Sequence, residues 1–325
     1  MAEWTGPQAA GAARRRALIT GGAGGLGFET ARGLAQNGYA VVIADRNVEG
    51  GKAAVQRLRA ETGAEVDFCA LDLGDLAAIR TFAAGFDGPL DVLVNNAGLL
   101  PPLRRATTRD GFELKFGVSH LGHFALTAGL LPRLLRSPAP RVVSVSSIVQ
   151  SSGRIDFDDL QAERDYLSSR SYAQTKLACL IFALELQRRS EAASAPLISV
   201  AAHPGISRTG IGDGRRSERR SSLTDWLEGV AFQIAMRGFG QAPAQGALPI
   251  IHAASADEVR GADFFGPDGF MQFRGRPTRV QPSAAARDPA IAKRLWEVSE
   301  RLTGCDYAAA FASVQSATSR STTVA

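Results

Sequence analysis

The 325-residue chain is poor in the residues that carry disulfides, metal clusters and stacked bases: three cysteines, four histidines, three tryptophans and four tyrosines. Cys69, Cys179 and Cys305 lie far apart without metal-ligand spacing, which predicts free thiols in a reducing compartment. No apolar run approaches the roughly 18 residues of a membrane span. Met1 to Arg16 holds three arginines but no apolar core of the kind a secretory signal needs. These absences predict a cytoplasmic protein without a membrane partner. The formal charge of +5 is concentrated in Arg14 to Arg16 and in Arg215, Arg216, Arg219 and Arg220. Neither run is interleaved with aromatics or set in a nucleic-acid reader motif, so solvated loop charge is expected and no nucleic-acid partner.

What is present is ordinary globular composition, 45% hydrophobic and 21% charged, in a chain long enough for a sizeable core. Strand and helix patterns alternate from Ala17 to about Gly205, which predicts an α/β, doubly wound parallel sheet of about seven strands with helices on both faces. Continuous apolar runs suggest strands at 17–20, 40–45, 66–71, 90–95, 141–146 and 197–202. Helical stretches fall near 26–37, 50–61, 75–84, 109–136 and 170–190. Beyond Gly205 the pattern changes. A loop is expected over 206–222, an amphipathic stretch over 223–236, a helix over 244–254, a last strand over 263–266 and a final helix over 289–303. The expected organisation is a flexible N-terminus (1–16), one domain (17–305) with a lid over 206–240, and a disordered tail (306–325).

The stretch that organises the chain is Ala17-Leu-Ile-Thr-Gly-Gly-Ala-Gly-Gly-Leu-Gly27. Thr20, Gly21, Gly25 and Gly27 read T-G-x-x-x-G-x-G, a turn that lets backbone approach a pyrophosphate and lets the next helix pack on the sheet. The helix beginning near Leu26 would aim its N-terminal amides at phosphates. Asp45, ending the next strand, lies where an acid meets an adenosine ribose. Strand, turn, helix, strand and acid in that register predict a single Rossmann-type domain binding a dinucleotide. Asp45 would repel a 2′-phosphate and Arg46 could pair with one, so NAD is favoured over NADP without excluding it.

Asp72-Leu73 follows the third strand, where an aspartate can accept from an adenine amino group. Asn95-Asn-Ala-Gly98 closes the fourth, with small residues (Ala97, Gly98) that allow a cofactor close to the backbone; a simple turn is the bland alternative. Ser147 follows the fifth strand and faces the same crevice. Tyr172 and Lys176, four apart, share one helix face. A phenol, ordinarily titrating near 10, is a poor acid at neutral pH, and a nearby ammonium favours its phenolate. Such a pair can exchange a proton with an alcohol oxygen. His203-Pro204-Gly205 ends the sixth strand, with Thr209 four residues on. His203 and His120 are expected to be packed or capping residues, because no carboxylate cluster accompanies them, and no metal is expected.

Together and in this order, these residues resemble the short-chain dehydrogenase/reductase superfamily over roughly residues 15–305. Phe116-Gly-Val-Ser-His-Leu-Gly-His-Phe124, Val143-Ser-Val-Ser-Ser147, Ala242-Pro-Ala-Gln-Gly-Ala247 and Arg294-Leu-Trp-Glu-Val-Ser299 resemble its branch of retinol dehydrogenases and protochlorophyllide reductases. The resemblance implies hydride transfer between nicotinamide and an alcohol or carbonyl carbon; a hydrophobic alcohol or ketone is the expected substrate, and the sequence leaves open a monomer or a homodimer. Tyr172 would be the acid/base, Ser147 would hold the substrate oxygen, and Lys176 would tune the tyrosine and bind the nicotinamide ribose. The backbone after Pro204 and the Thr209 side chain would hold the carboxamide. Two features depart from the family: Ser119 stands where it has an asparagine of a water relay, and Ser147 and Tyr172 are 25 residues apart, a longer spacing than the shortest members show. The segment from Ile148 to Arg170 is therefore expected to border the active site or a subunit interface. The Ser119 departure keeps open a rival reading, a cofactor-binding sensor or partner-binding module without turnover.

Overall fold

The structure, a computed structural model, describes residues 14–99, 104–207 and 240–312. Eight strands form one sheet in the order β3-β2-β1-β4-β5-β6-β7-β8. They are β1 (Arg16–Thr20), β2 (Ala40–Asp45), β3 (Val66–Ala70), β4 (Val92–Asn95), β5 (Arg141–Val145), β6 (Ile198–Ala202), β7 (Phe264–Pro267) and β8 (Pro277–Arg279). All neighbours pair in parallel except β7 and β8. The expected doubly wound sheet is therefore present, with one more strand than expected and an antiparallel edge. Three residues beginning with proline carry no apolar signature, and an edge is where a strand tolerates proline.

The central strands are mostly apolar because both faces are covered. Ala17 and Ile19 of β1 join one core with Val41, Ile43 and the helices α1 (Gly25–Gln36) and α6 (Pro243–Ser255). Leu18, pointing the other way, joins Val42, Leu93 and Val142 under α3 (Leu76–Gly85) and α4 (Gly122–Leu134). The helix ends follow from their caps. Asn47 caps α2 (Val48–Thr62) by accepting from Gly50, and left-handed Gly63 stops it. Asp288 accepts from Ala290 and Ile291 to start α7 (Pro289–Thr303), which left-handed Gly304 ends.

Three expectations need correction. The stretch expected as a helix from 109 is folded back on itself, with an antiparallel bridge between Thr107 and Glu113. Glu113 then caps a short turn, Leu114–Phe116, that runs into a π-helical turn, Gly117–Leu121, and on into α4. The N-terminus is fixed earlier than Ala17: the Arg16 amide donates to Asp91 at 2.6 Å. The folded chain also continues past residue 305, since 307–312 is helical. Tyr307 is buried and its hydroxyl donates to the Phe124 carbonyl at 2.8 Å, and Phe311 is buried with it. The amphipathic stretch and most of the expected lid lie outside the described residues, as do 313–325. Among the described residues, no helix is long and apolar enough to cross a membrane.

Candidate active site

The glycine-rich turn needs its glycines for two separate reasons. Gly21 and Gly25 have φ of +68° and +55°, in the left-handed region that favours glycine. Gly27 is confined by space, since an added Cβ would clash with the Gly21 carbonyl. Gly24 precedes α1 as its N-cap without a side-chain bond, leaving backbone donors at Leu26 and its neighbours for an anion. Asp45 braces the turn, accepting from Ala23 at 3.1 Å and Asn47 at 2.9 Å, and Arg46 beside it is exposed. Asp72 is exposed and accepts from Gly74 at 2.8 Å, whereas Leu73 turns inward and is buried.

Thr20 was expected at the cofactor, but it is wholly buried and acts on the backbone around the site. Its hydroxyl accepts from the amides of Asn96 and Ala97, each at 2.9 Å, and lies 2.8 Å from His123 Nε2. Asn96 returns the tie, donating to the Thr20 carbonyl at 2.8 Å. The Asn95 amide enters the interior and donates to Thr127 at 3.0 Å. Asn96, rather than Asn95, therefore holds the β4 loop against the glycine turn.

Lys176, Ser147 and Tyr172 sit at the end of β5 and on α5 (Ser168–Ala192). The Lys176 ammonium donates to the Val145 carbonyl at 2.9 Å, while Ser146 donates to the Lys176 carbonyl at 2.7 Å. These bonds lock the helix to the strand end that carries Ser147. Ser147 is 9% exposed, and its hydroxyl accepts from Val149 at 3.4 Å. The ring of half-buried Tyr172 has its centre 5.9 Å from Lys176 Nζ. A Cβ on Gly98 would lie 3.5 Å from both Lys176 Nζ and Ser119 Oγ. Gly98, Ser119 and Lys176 thus border one gap. A phenol and an ammonium one helical turn apart, with a serine at the neighbouring strand end, can exchange a proton with an oxygen placed among them.

The loop after β6 is held by side chains. Gly205 has φ of +64°, and a Cβ there would clash with the Phe273 carbonyl. His203 is wholly buried; its Nδ1 accepts from the Gly205 amide at 3.2 Å, so Nε2 carries the proton and donates to Gln272 Oε1 at 2.9 Å. Burial lowers its pKa to about 4, against a raising influence of the Gln272 bond. His203 is a packed, neutral residue. Pro204 presents its carbonyl to Gln241 Nε2 at 2.7 Å. His120 is likewise packed, 2.8 Å from Ser299 Oγ. Among the described residues no group of three or more His, Cys, Asp or Glu could hold a metal. Thr209 lies outside the described residues.

The segment after Ser147 folds back onto α5 and the Thr107–Glu113 turn. Gln174 of α5 accepts from Asp156 at 2.8 Å and donates to Leu160 at 3.1 Å, and Gln161 accepts from Glu113 at 2.7 Å. Asn96 lies in the Asn95-Asn-Ala-Gly98 motif, whose amides are suited to tying strands together, whereas Gln241 and Gln272 lie in no motif. His123 lies inside the Phe116–Phe124 motif, the one signal that could have marked it.

A Rossmann-type sheet with a glycine turn, a Tyr-Lys helix and a serine at the β5 end defines a class of dehydrogenases, and sequence comparison agrees. The short chain dehydrogenase family matches residues 15–220. Polyprenol dehydrogenase of Mus musculus is 39% identical, over 89% of this chain and 84% of its own length. Retinol dehydrogenase 13 of Homo sapiens is 37% identical over the same shares. A crystal structure from Mycobacterium Paratuberculosis is 39% identical with a TM-score of 0.73, covering 91% of this chain and 95% of that one. The chain belongs to the short chain dehydrogenase family, on its retinol dehydrogenase-like branch. It is an oxidoreductase that interconverts alcohol and carbonyl groups with a nicotinamide cofactor.

Proposed function

We propose that this oxidoreductase works on a hydrophobic alcohol or the matching aldehyde or ketone, with Tyr172 as acid/base and Ser147 holding the substrate oxygen. The observation that carries it is the convergence of Gly98, Ser119 and Lys176 on one gap, with Tyr172 one turn before Lys176. The residues present fit a nicotinamide dinucleotide. Gly98 leaves room that a Cβ would fill, the uncapped start of α1 offers amides to phosphate, and Asp45 stands at the end of β2 for a ribose. When bound, that cofactor supplies the hydride acceptor for oxidation or the hydride donor for reduction. Tyr172 takes the hydroxyl proton in oxidation and returns one to the carbonyl oxygen in reduction. Ser147 donates a hydrogen bond to the same oxygen and fixes its place. Lys176 puts positive charge beside the phenol and stabilises negative charge developing there in the transition state.

An apolar substrate is supported by the relatives, whose names specify retinol and polyprenol. It is supported also by Phe270 and Met271, 75% and 61% exposed, on the hairpin whose Phe273 carbonyl accepts from Ile206 in the loop after β6. The test is a panel of polyprenols, retinoids and short aliphatic alcohols with their carbonyl forms, followed by absorbance of reduced nicotinamide. We expect turnover with the long apolar members. Cofactor binding without turnover of any member would favour the sensor reading. Asp45 leads us to expect NAD over NADP, and tighter binding of NADPH than NADH would overturn that preference.

A further inference from the structure

We propose that His123 is a positioning residue for this reaction, coupling the cofactor-side turn at Thr20 to the helix that carries Tyr172 and Lys176. The proposal rests on the function inferred above, and its support is a chain of hydrogen bonds whose directions can be assigned. Thr20 Oγ1 accepts from the amides of Asn96 and Ala97, which occupies its lone pairs. Its single proton is left to donate, and His123 Nε2 at 2.8 Å is a closer acceptor than the Val94 carbonyl at 3.3 Å. At the other side of the ring, Nδ1 lies 2.9 Å from the Ser119 carbonyl, which can only accept. His123 must therefore be the neutral tautomer with its proton on Nδ1.

The same Ser119 carbonyl also receives the Cys179 thiol at 3.2 Å. Burial pushes that thiol's pKa up, so it remains an S–H donor. Cys179 lies on α5, three residues and about one turn beyond Lys176. The chain thus runs from the glycine turn and the β4 loop, through Thr20 and the His123 ring, to the π-helical turn and on to the catalytic helix. Ser119 and Gly98 border the Lys176 gap from the two ends of this chain. A shift at either end is transmitted to the other through one imidazole. A protonated ring would break the chain, because Nε2–H would face a Thr20 oxygen that two amides already use. Burial, helped by the Lys176 charge against the raising influence of the Ser119 carbonyl, holds the ring neutral, with a pKa of about 4.

Nitrogen NMR of the protein labelled in histidine tests the assignment without any substitution. His203 and His120 should carry the proton on Nε2, the first because Nδ1 accepts from Gly205 and the second because the Ser299 hydroxyl spends its own proton on Leu295. His123 should show the opposite tautomer and stay neutral at pH 6. An Nε2–H tautomer at His123 would overturn the proposal. His123→Phe should weaken cofactor binding about tenfold and lower kcat further. His123→Gln, which can reach Thr20 but cannot also donate to Ser119, should restore most of the cofactor affinity while kcat stays low. Wild-type Kd and kcat in His123→Phe, with only the melting temperature lowered, would leave His123 a merely structural residue and sink the idea. If His123→Phe does not fold, the wild-type tautomer and His123→Gln decide. A wild-type protein that binds cofactor but turns nothing over would defeat the proposed function instead, leaving the tautomer and Kd readings to judge His123.

Discussion

The ammonium of Lys176 donates to the carbonyl of Val145 at 2.9 Å. Val145 ends β5 two residues before Ser147, so this bond fixes α5 against the strand end that carries Ser147. Tyr172, one turn earlier on α5, is carried with them. Tyr172→Phe keeps the ring, its packing and the Lys176 bond, and removes only the hydroxyl. Turnover should fall by about 100-fold or more while cofactor binding stays near wild type. A mutant that keeps wild-type kcat in single-turnover assays would remove Tyr172 from the acid/base role.

Gly98 permits a sharper separation of folding from binding. An added methyl would make ordinary 3.5 Å contacts with Lys176 Nζ and Ser119 Oγ, and Gly98 has no left-handed φ. Gly98→Ala should therefore leave the melting temperature unchanged or raise it slightly, by the entropy lost from the unfolded chain, worth about 0.4–1 kcal/mol. The methyl occupies the gap a cofactor would need, so affinity for NAD(H) should drop at least tenfold. Gly205→Ala should do the reverse to stability, since its φ is +64° and its Cβ would strike the Phe273 carbonyl. Thermal melts and cofactor titrations of the two variants check both statements; a Gly98→Ala protein that binds cofactor normally would show that the gap is not the binding place.

These sites were legible to different degrees in the sequence. The buried strands and α7 could be read because apolar runs and a Pro-to-Gly helix signature are local. The Thr107–Glu113 turn could not, because a bridge within seven residues leaves no periodicity. The Ala-rich composition after Cys305 hid Tyr307 and Phe311, which share one helix face four residues apart. That Ser147 follows a strand and Lys176 lies on a helix was readable from local pattern, whereas the tie of Thr20 was not: its partner His123 is 103 residues away, and only the fold joins them.

Three buried histidines predict acid sensitivity. Burial is the first cause in each, lowering His120 to about 3 and both His123 and His203 to about 4. The neighbouring His123 charge adds to the effect at His120, and Lys176 adds to it at His123. In the unfolded chain each titrates near 6.5. Between about 6.5 and 4 the unfolded state therefore binds more protons, and stability rises with pH. The stabilisation from neutral histidines is present in full above about 6.5 and is lost as pH falls toward 4. Urea midpoints measured at pH 7.5, 6 and 5 should fall steeply; a flat series would mean that the histidines are protonated in the fold.

The family resemblance leads one to expect an asparagine where this chain has Ser119, and the structure makes the consequence of a serine there specific. The side chain is buried in the π-helical turn and its hydroxyl borders the same gap as Lys176 Nζ. Its carbonyl is already committed to His123 and Cys179, so the hydroxyl is the part left for a proton path behind the lysine. A serine reaches less far than an asparagine amide, and an ordered water can cover the difference at a cost of about 0–2 kcal/mol. Ser119→Asn should keep the fold and leave turnover equal or higher. Ser119→Ala retains both carbonyl bonds, so helix and cofactor affinity should be unaffected while proton delivery slows more than hydride transfer. That variant should show a larger solvent isotope effect and a displaced pH profile, with the isotope effect from deuterated alcohol reduced. Identical isotope effects and pH profile in Ser119→Ala and wild type would show that the serine packs the turn and carries no proton.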